Sequence, residues 1–484
     1  MNAVNTFGLS VADDEDDEDE ATRESLGIWD GDKFVYTQPL GGSRLMSWWT
    51  TAKLFYRYGV LEPYRTRNLM RSTLARFLDI YTPPFFPFRS LQDVITATGL
   101  ADAAALSGLD YLKTAGVQGL FAKELVQAST RVNYAQDLSY IHGVEAMVCM
   151  ATDGAMSVKG GNWRIFDGMI RASGAALKLE TSVERIERTD EGRYVVTTKD
   201  ASSRSGPVST SQDSPLGHLL PPAQSDTFDA VIIAAPIYTT HMSITPRPQH
   251  VPSAPNYVNL HVTLFSTPHR IRPEYFNLSS DARTPDMILT TPSGDSQTAD
   301  TKVNEGLNAL KFFSLSQVCT AINPVTGKRE RVFKIFSKEK ITGAQLRALV
   351  LPDSRSPVPL DDQDIEGISW RYHKLWQSYP YLPPRREFDP IKLDGDGEKV
   401  DEGEVEVKNE DEDEDEAGVV PVGDTGRGIW YTSGMESFIS SMETSSLSGM
   451  NVARLIVDEL VRGREKEREK EREKEQEKEI GEVW

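Results

Sequence analysis

Apolar residues recur along this chain with two different spacings, and the switch between them divides it into parts. From about Leu45 to Met150 they return at helical intervals, as at Leu69, Leu74, Phe77, Leu78 and Tyr81, with breaks at Gly59, Gly99, Gly108 and Gly116. This predicts a mainly helical block. Tyr81-Thr82-Pro83-Pro84-Phe85-Phe86-Pro87-Phe88 interrupts it, because three prolines cannot continue a helix. Its four aromatic rings either line a cavity or pack a loop. Ahead of the block, Ile28-Trp29 and Phe34-Val35-Tyr36 flank Asp30-Gly31, which predicts a hairpin with a type I′ turn.

Beyond the turn Val158-Lys159-Gly160-Gly161-Asn162 a helix is predicted to about Ser173. Short β-rich runs follow at Leu177 to Leu179, Val183 to Ile186 and Tyr194 to Thr198, the pattern of a small antiparallel meander. Phe228 to Pro236 is a continuous apolar run ended by proline, the composition of a central parallel strand covered on both faces. Runs at Tyr257 to Phe265, Met287 to Thr290 and Val332 to Phe336, with a helix at Gly343 to Leu349, predict a second, sheet-based domain. Gly428 to Tyr431 reads as a strand and Glu436 to Leu460 as a long helix entered through a glycine turn.

Charge changes this picture less than its total of −20 suggests. Asp13 to Glu20 holds eight acids, and Asp394 to Glu416 holds fourteen against Lys399 and Lys408, so these two runs carry the whole excess. Each is expected to be a solvated, disordered insertion, with an acidic partner-binding arm as the alternative. The remainder is nearly neutral, which removes the basic face that nucleic-acid binding requires. Ser202 to Ser225, rich in Ser, Pro and Gln, is expected to elongate one hairpin without order. Arg464 to Glu479 alternates in sign and is either a charge-paired helix or disordered. Cys149 and Cys319 both sit in apolar company, so buried packing is expected and no disulfide or zinc framework. No run of eighteen apolar residues is present, and Met1 to Ser10 lacks the form of a signal peptide.

A strand, a glycine turn and a helix together favour an anion or an electron-rich ring, because the first backbone N–H groups of a helix have no partner within it. Gly434, Met435 and Glu436 form such a turn; Ser441, Met442 and Glu443 follow, and Ser445, Ser446, Ser448 and Gly449 keep one helical face small. A tightly packed amphipathic helix is the competing explanation.

The order of these pieces resembles the FAD-binding half of the flavin amine oxidase and phytoene desaturase superfamily. Arg131-Val132-Asn133-Tyr134 with Gln136, the Val158 to Asn162 turn, Lys334-Ile335-Phe336-Ser337, and Tyr379-Pro380 with Pro383-Pro384 narrow the resemblance to the prenylcysteine oxidase (prenylcysteine lyase) family. The likeness runs from about Phe7 to Leu460 outside the insertions. It implies an α/β (α+β) fold, with a partial FAD-binding Rossmann-like domain and a substrate domain of helices on a mixed sheet. The implied domains are an N-terminal loop at 1–25, the helical part of the substrate domain at 26–155, and FAD-binding parts at 156–237 and 426–462. A Ser/Pro-rich insertion at 199–226, the β-rich substrate part at 238–384, an acidic insertion at 385–425 and a charged tail at 463–484 complete the division.

The resemblance also implies FAD as cofactor. Val183, Ala235, Pro236, Gly434, Met435, Glu436, Ser441, Met442 and Glu443 are the expected cofactor-binding residues. Arg131, Asn133 and Tyr134 either bind the substrate or form a structural hydrogen-bond cluster. The implied reaction takes farnesyl- or geranylgeranyl-cysteine and oxygen to cysteine, a prenyl aldehyde and hydrogen peroxide, and requires no acid–base triad. Trp48, Trp49, Phe55 and Tyr56 either line an isoprenoid tunnel or, for most of them, form ordinary core. The family is lysosomal or vacuolar and glycosylated, which suits the sequon at Asn277. It opens with a strand, a Gly-x-Gly-x-x-Gly turn and a helix that nothing here matches, so the expectation is a chain that starts after that unit. Gly423, Gly426 and Gly428 precede a strand and are no substitute. Another flavin oxidase, or a non-catalytic derivative that binds a basic partner, are the alternatives.

Overall fold

The computed structural model describes residues 2–11, 25–39, 52–151, 157–200, 224–292, 312–352, 365–394 and 426–481. The acidic run at 13–20, nearly all of the second one, Trp48, Trp49 and most of the Ser/Pro-rich stretch lie outside these residues. The architecture is mixed α/β. Its first main elements are strands β1 (Ser25–Trp29) and β2 (Phe34–Pro39) and helices α1 (Leu61–Asp79), α2 (Leu91–Ala97), α3 (Gln127–Tyr134), α4 (Gly143–Val148) and α5 (Trp163–Ser173). Strands β3 (Thr181–Arg188), β4 (Tyr194–Asp200), β5 (Gln224–Phe228), β6 (Ala230–Ile233) and β7 (Ser243–Thr245) follow. Then come β8 (Leu260–Thr267), β9 (Met287–Thr290), β10 (Phe312–Ile322), β11 (Arg329–Ser337), α6 (Gly343–Val350), β12 (Trp370–Trp376), β13 (Gly428–Tyr431) and α7 (Met442–Gly481). Two compact units result, one of residues 1–78, 99–166 and 255–386, the other of 79–98, 167–254 and 387–484.

The first unit is built on a seven-stranded sheet in the order β12-β8-β11-β10-β9-β1-β2, antiparallel except for β1 beside β9. One face buries Trp29, Phe265, Phe276, Phe312, Phe333 and Ile335 together with Leu346 and Leu349 of α6. Thr342 starts α6 with a capping box: its hydroxyl accepts from Gln345 N while the Gln345 side chain accepts from Thr342 N. Elsewhere in the unit a π-helical turn, Ala122–Val126, runs directly into α3, and Ala128 of α3 packs with Ile28 and Leu289. The hairpin of β1 and β2 is present, but its loop is longer than a two-residue I′ turn. Asp30 N bonds Lys33 O, the Asp30 carboxylate accepts from Asp32 N and Lys33 N, and only Gly31 takes positive φ, +102°.

On the edge pair β8–β12, His261 Nδ1 and His373 Nε2 lie 2.9 Å apart with their rings stacked. Burial pushes the His373 pKa down, and His261, Lys340 and Arg371 add to the effect. A histidine with a lower pKa folded than unfolded takes up its proton more readily on unfolding. Its contribution is therefore complete above about pH 6.5 and is lost as pH falls toward the folded value. The urea midpoint is expected to drop between about pH 7 and pH 5, and a His373→Gln variant to show a shallower drop. Equal slopes for the two proteins would remove the pair from the account.

The second unit holds a four-stranded sheet, β5-β4-β3-β7, and a parallel pair, β13-β6. Residues 391–393 run along the other side of β13, where Leu393 N bonds Ile429 O at 2.8 Å and Tyr431 N bonds Ile391 O at 2.7 Å. Ile186, Tyr194, Ile233, Leu393, Ile429 and Tyr431 form its core. On α7, Leu447, Val452, Leu455 and Glu459 are buried, and Asn451 clamps Phe88 by accepting from its N–H and donating to its carbonyl, both at 2.8 Å.

Several expectations are corrected here. The run Phe228 to Pro236 is not one doubly covered central strand: it splits between β5 and β6, and Ile232 is 47% exposed on a strand that, among the described residues, pairs with β13 alone. Leu177 and Leu179 are exposed and precede the meander without joining it. The last helix begins at Met442 instead of Glu436, because Ser441 and Thr444 cap it reciprocally: Thr444 N donates to Ser441 Oγ and Ser441 N to Thr444 Oγ1. It then continues to Gly481 through the sign-alternating tail, which is helical. Cys149 is buried as expected, but Cys319 is exposed, since it lies in the outer half of β10 beyond the covered part of the sheet.

Candidate functional site

In the second unit, β13 delivers the chain into a tight 3-10 turn, Ser433–Ser437, which holds Gly434, Met435 and Glu436. Gly434 is closely packed: a Cβ there would sit 3.2 Å from Asp389 Cβ, a tight contact. Met435 is buried, Glu436 half-buried, and Ser437 Oγ closes the turn onto Gly434 O at 2.7 Å. Four residues later Ser441 caps α7. Met442 is exposed, and Glu443 acts on Tyr81, whose pKa is pushed up by burial first and by that carboxylate second. A methyl group placed on Gly449 would meet nothing within 4 Å, and Ser445 on the same helix is exposed, so one face of α7 stays open.

Ala235 and Pro236 follow the end of β6, whose parallel partner β13 leads into that same turn. Val183 lies on β3 opposite Thr198, beside a bulge, and packs partly on the core of the unit. The ladder to β7 covers only Arg185 to Glu187, which leaves the Val183 edge of β3 outside that pairing. Backbone groups at Val183, the ends of two parallel strands, a turn and a helix N-terminus suit one side of a dinucleotide cofactor. Among the described residues no strand runs through a Gly-x-Gly-x-x-Gly turn into a helix.

In the first unit, α3 carries Arg131, Asn133 and Tyr134, but their surroundings differ. Arg131 is held by its own protein: Nη1 meets Asp137 at 2.6 Å, Nε and Nη2 reach Thr290 Oγ1 at 3.3 and 3.2 Å, and the guanidinium lies 4.9 Å from the Phe313 ring centre. Asn133 Nδ2 donates to Ser129 O at 3.0 Å and Cys149 O at 3.3 Å. Asn133 and Tyr134 also wall a small cavity of about 150 Å³ together with Val148, Cys149 and Tyr379. The rings of Tyr134 and Tyr379 are 5.4 Å apart. Burial raises the Tyr134 pKa most, and the negative charge of the buried Glu145 carboxylate raises it further; burial and Glu145 also push up the Cys149 thiol. Burial raises Tyr379 as well, so both tyrosines and the thiol are neutral at physiological pH.

A second, larger cleft of about 580 Å³ in this unit is lined by Phe34, Val35, Tyr36 and Thr37 of β2 and by Ala52, Lys53, Tyr56 and Arg57. Phe55 and Tyr56 are not core: they are 40% and 95% exposed, because the helical segment at 52–58 turns one side to solvent. Tyr379 belongs to the Tyr379-Pro380 motif, and Cys149 was legible as buried from its apolar neighbours. The cleft along β2 had no sequence signal, since it depends on which face of that edge strand remains uncovered.

The prenylcysteine lyase family profile matches residues 43–396 and 424–470. Farnesylcysteine lyase of Arabidopsis thaliana is 23% identical over 449 residues, covering 90% of this chain and 71% of that protein. Prenylcysteine oxidase 1 of Rattus norvegicus is 23% identical over 461 residues, covering 89% and 72%. Among solved structures, a cofactor-binding redesign of putrescine oxidase aligns with a TM-score of 0.45 at 11% identity, covering 94% of this chain and 85% of that one, a likeness too distant to bear on function. With the family profile spanning both units, the chain belongs to the prenylcysteine lyase family.

Proposed function

We propose that this protein oxidatively cleaves the thioether of a prenylcysteine, with FAD as cofactor and oxygen as electron acceptor. The observation that carries the reading is the family match across 43–396 and 424–470, together with relatives that are farnesylcysteine lyase and prenylcysteine oxidase 1. The balanced reaction takes the prenyl thioether, oxygen and water to free cysteine, a prenyl aldehyde and hydrogen peroxide. The C–S bond breaks, the carbon is oxidised and oxygen is reduced by two electrons. Bound FAD supplies the acceptor for those two electrons and returns them to oxygen.

The chain's own residues bind and orient. Val183, Ala235, Pro236, Gly434, Met435, Glu436, Ser441, Met442 and Glu443 are assigned to the cofactor, the last three through the positive end of α7. Asn133 and Tyr134, with Tyr379, are assigned to the amino-acid end of the substrate, at a small open cavity whose tyrosine and thiol walls are neutral. Arg131 is assigned to holding α3 against β9, since its donors are engaged by Asp137 and Thr290. The apolar cleft along β2 is the proposed seat of the isoprenoid. The lysosome or vacuole is the proposed compartment, which the exposed Asn277 of the Asn277-Leu278-Ser279 sequon supports.

The test is the protein incubated with FAD and farnesylcysteine, with cysteine, aldehyde and peroxide measured together. Equal yields of the three support the reading. Flavin reduced by amines and untouched by prenyl thioethers would replace it with an amine oxidase. Filling the small cavity provides a residue-level check: Cys149→Leu is expected to raise KM for farnesylcysteine about tenfold while flavin absorbance is unchanged. An unaltered KM would move the amino-acid site elsewhere.

A further inference from the structure

We propose that the helical corner around Gly59 is a docking face for anionic lipid bilayers. Gly59, at φ +71°, ends the helix at 52–58 and lets the chain turn into α1. At this corner Tyr56, Leu61, Tyr64, Val60 and Phe55 are 95, 63, 62, 58 and 40% exposed. Five large apolar side chains within ten positions form a patch that a monomeric surface rarely presents without a partner.

Charge identifies the partner. Residues 52–79 carry Lys53, Arg57, Arg65, Arg67, Arg71 and Arg76 against Glu62 and Asp79, a local +4 in a chain of net charge −20. Asp79 is the last residue of α1, at the end away from the corner. Glu62 is turned inward to accept from Gln118 N and Gly119 N, and Arg57 is matched by Glu124. Arg65 and Arg76 donate to the carbonyls of Gly116 and Gly99, which hold them in place without neutralising them. Arg67 and Arg71 are exposed on the same helix as Leu61 and Tyr64. Aromatic and aliphatic side chains flanked by arginines match the boundary between headgroups and acyl chains, with the cations at the phosphates. A second copy fits less well, because a two-fold contact would set a net positive face against itself. No helix among the described residues is long and apolar enough to cross a membrane, so the corner would lie on the surface. Lys53 and Tyr56 also line the cleft along β2, which places the proposed isoprenoid seat beside the docking face. The docking itself does not rest on that assignment.

The experiment is co-sedimentation of the full chain with phosphatidylcholine vesicles, with and without phosphatidylserine, at low and high salt. Binding is expected only with phosphatidylserine, and it should weaken as salt rises. The pair Arg67→Gln and Arg71→Gln, and separately the pair Leu61→Ser and Tyr64→Ser, should each weaken binding about tenfold or more, whereas Tyr140→Ser, an exposed tyrosine outside residues 52–79, should not. Because vesicle binding is read without turnover, it fails or succeeds independently of the oxidase assignment. No binding to phosphatidylserine vesicles, binding that both paired variants retain, or a concentration-dependent dimer abolished by the same substitutions in place of vesicle binding would each overturn the proposal.

Discussion

Replacing Glu459 with alanine is expected to cost about 3–5 kcal/mol of stability, as breaking a buried ion pair from one side usually does. The Glu459 side chain is fully buried on α7 and joins two cations: Arg89 at 3.0 Å and Lys392 at 3.2 Å. Lys392 is itself only 9% exposed and lies 4.9 Å from the centre of the Trp430 ring, so removing the carboxylate leaves an ammonium in an apolar setting without its neutralising charge. Arg89 is nearly half exposed and can turn to water, so most of the loss belongs to Lys392. Urea midpoints check this, with the double variant Lys392→Met and Glu459→Leu as the decisive comparison. An apolar pair of similar volume should recover most of the loss. A double variant that loses the sum of the two single losses would mean that packing around the long helix, and not charge, sets the effect.

Phe276→Ala is expected to cost about 3–5 kcal/mol in the other unit, the range for emptying a large aromatic site in a core. Phe276 is fully buried on a short 3-10 turn that closes one face of the seven-stranded sheet. Its ring meets Trp29 edge-on at 5.3 Å, Phe312 edge-on at 6.4 Å and Phe34 at 5.6 Å, geometries that add to simple burial. These neighbours come from β1, β10 and β2, so the void cannot be closed by a local shift of one segment. The midpoint should fall with an unchanged slope against denaturant. A loss below about 1 kcal/mol would show that the neighbouring rings collapse into the space.

Much of this fold was legible where periodicity and burial agree. The strands at Met287 to Thr290 and Val332 to Phe336 and the helix at Gly343 carry apolar spacings that the observed elements reproduce. Other elements were hidden because their burial does not follow their hydrophobicity. In β10, Phe313, Ser314, Leu315 and Ser316 alternate apolar and polar yet are all buried in the covered centre of the sheet, so the alternation does not mark one covered face. In β12 the reverse holds: Trp370 and Tyr372 are 50% and 48% exposed on an edge, where aromatic residues give no clue to a covered face. The start of the last helix was misread for a local reason. Ser441 and Thr444 provide the cap, and Glu436 lies in the 3-10 turn ahead of it.

The candidate site divides in the same way. Asn133 and Tyr134 could be named from a motif, but only the fold separates their cavity-facing positions from the tied guanidinium of Arg131 two residues earlier. The cleft along β2 and the basic, aromatic corner beside it arise from surfaces left uncovered, a property of packing that no short string of residues encodes.

The π-helical turn at Ala122–Val126 fixes more than the local path of the chain. A π turn contains one residue beyond an α turn, and each residue of an α-helix advances the facing direction by about 100°. Because α3 continues straight from that turn, the single additional residue sets the rotational phase in which Asn133 and Tyr134 meet the cavity and Arg131 meets Thr290. In evolutionary terms, a one-residue change in length here would exchange the whole set of side chains presented to the cavity at once, a different route to altered specificity from the gradual substitution of its walls.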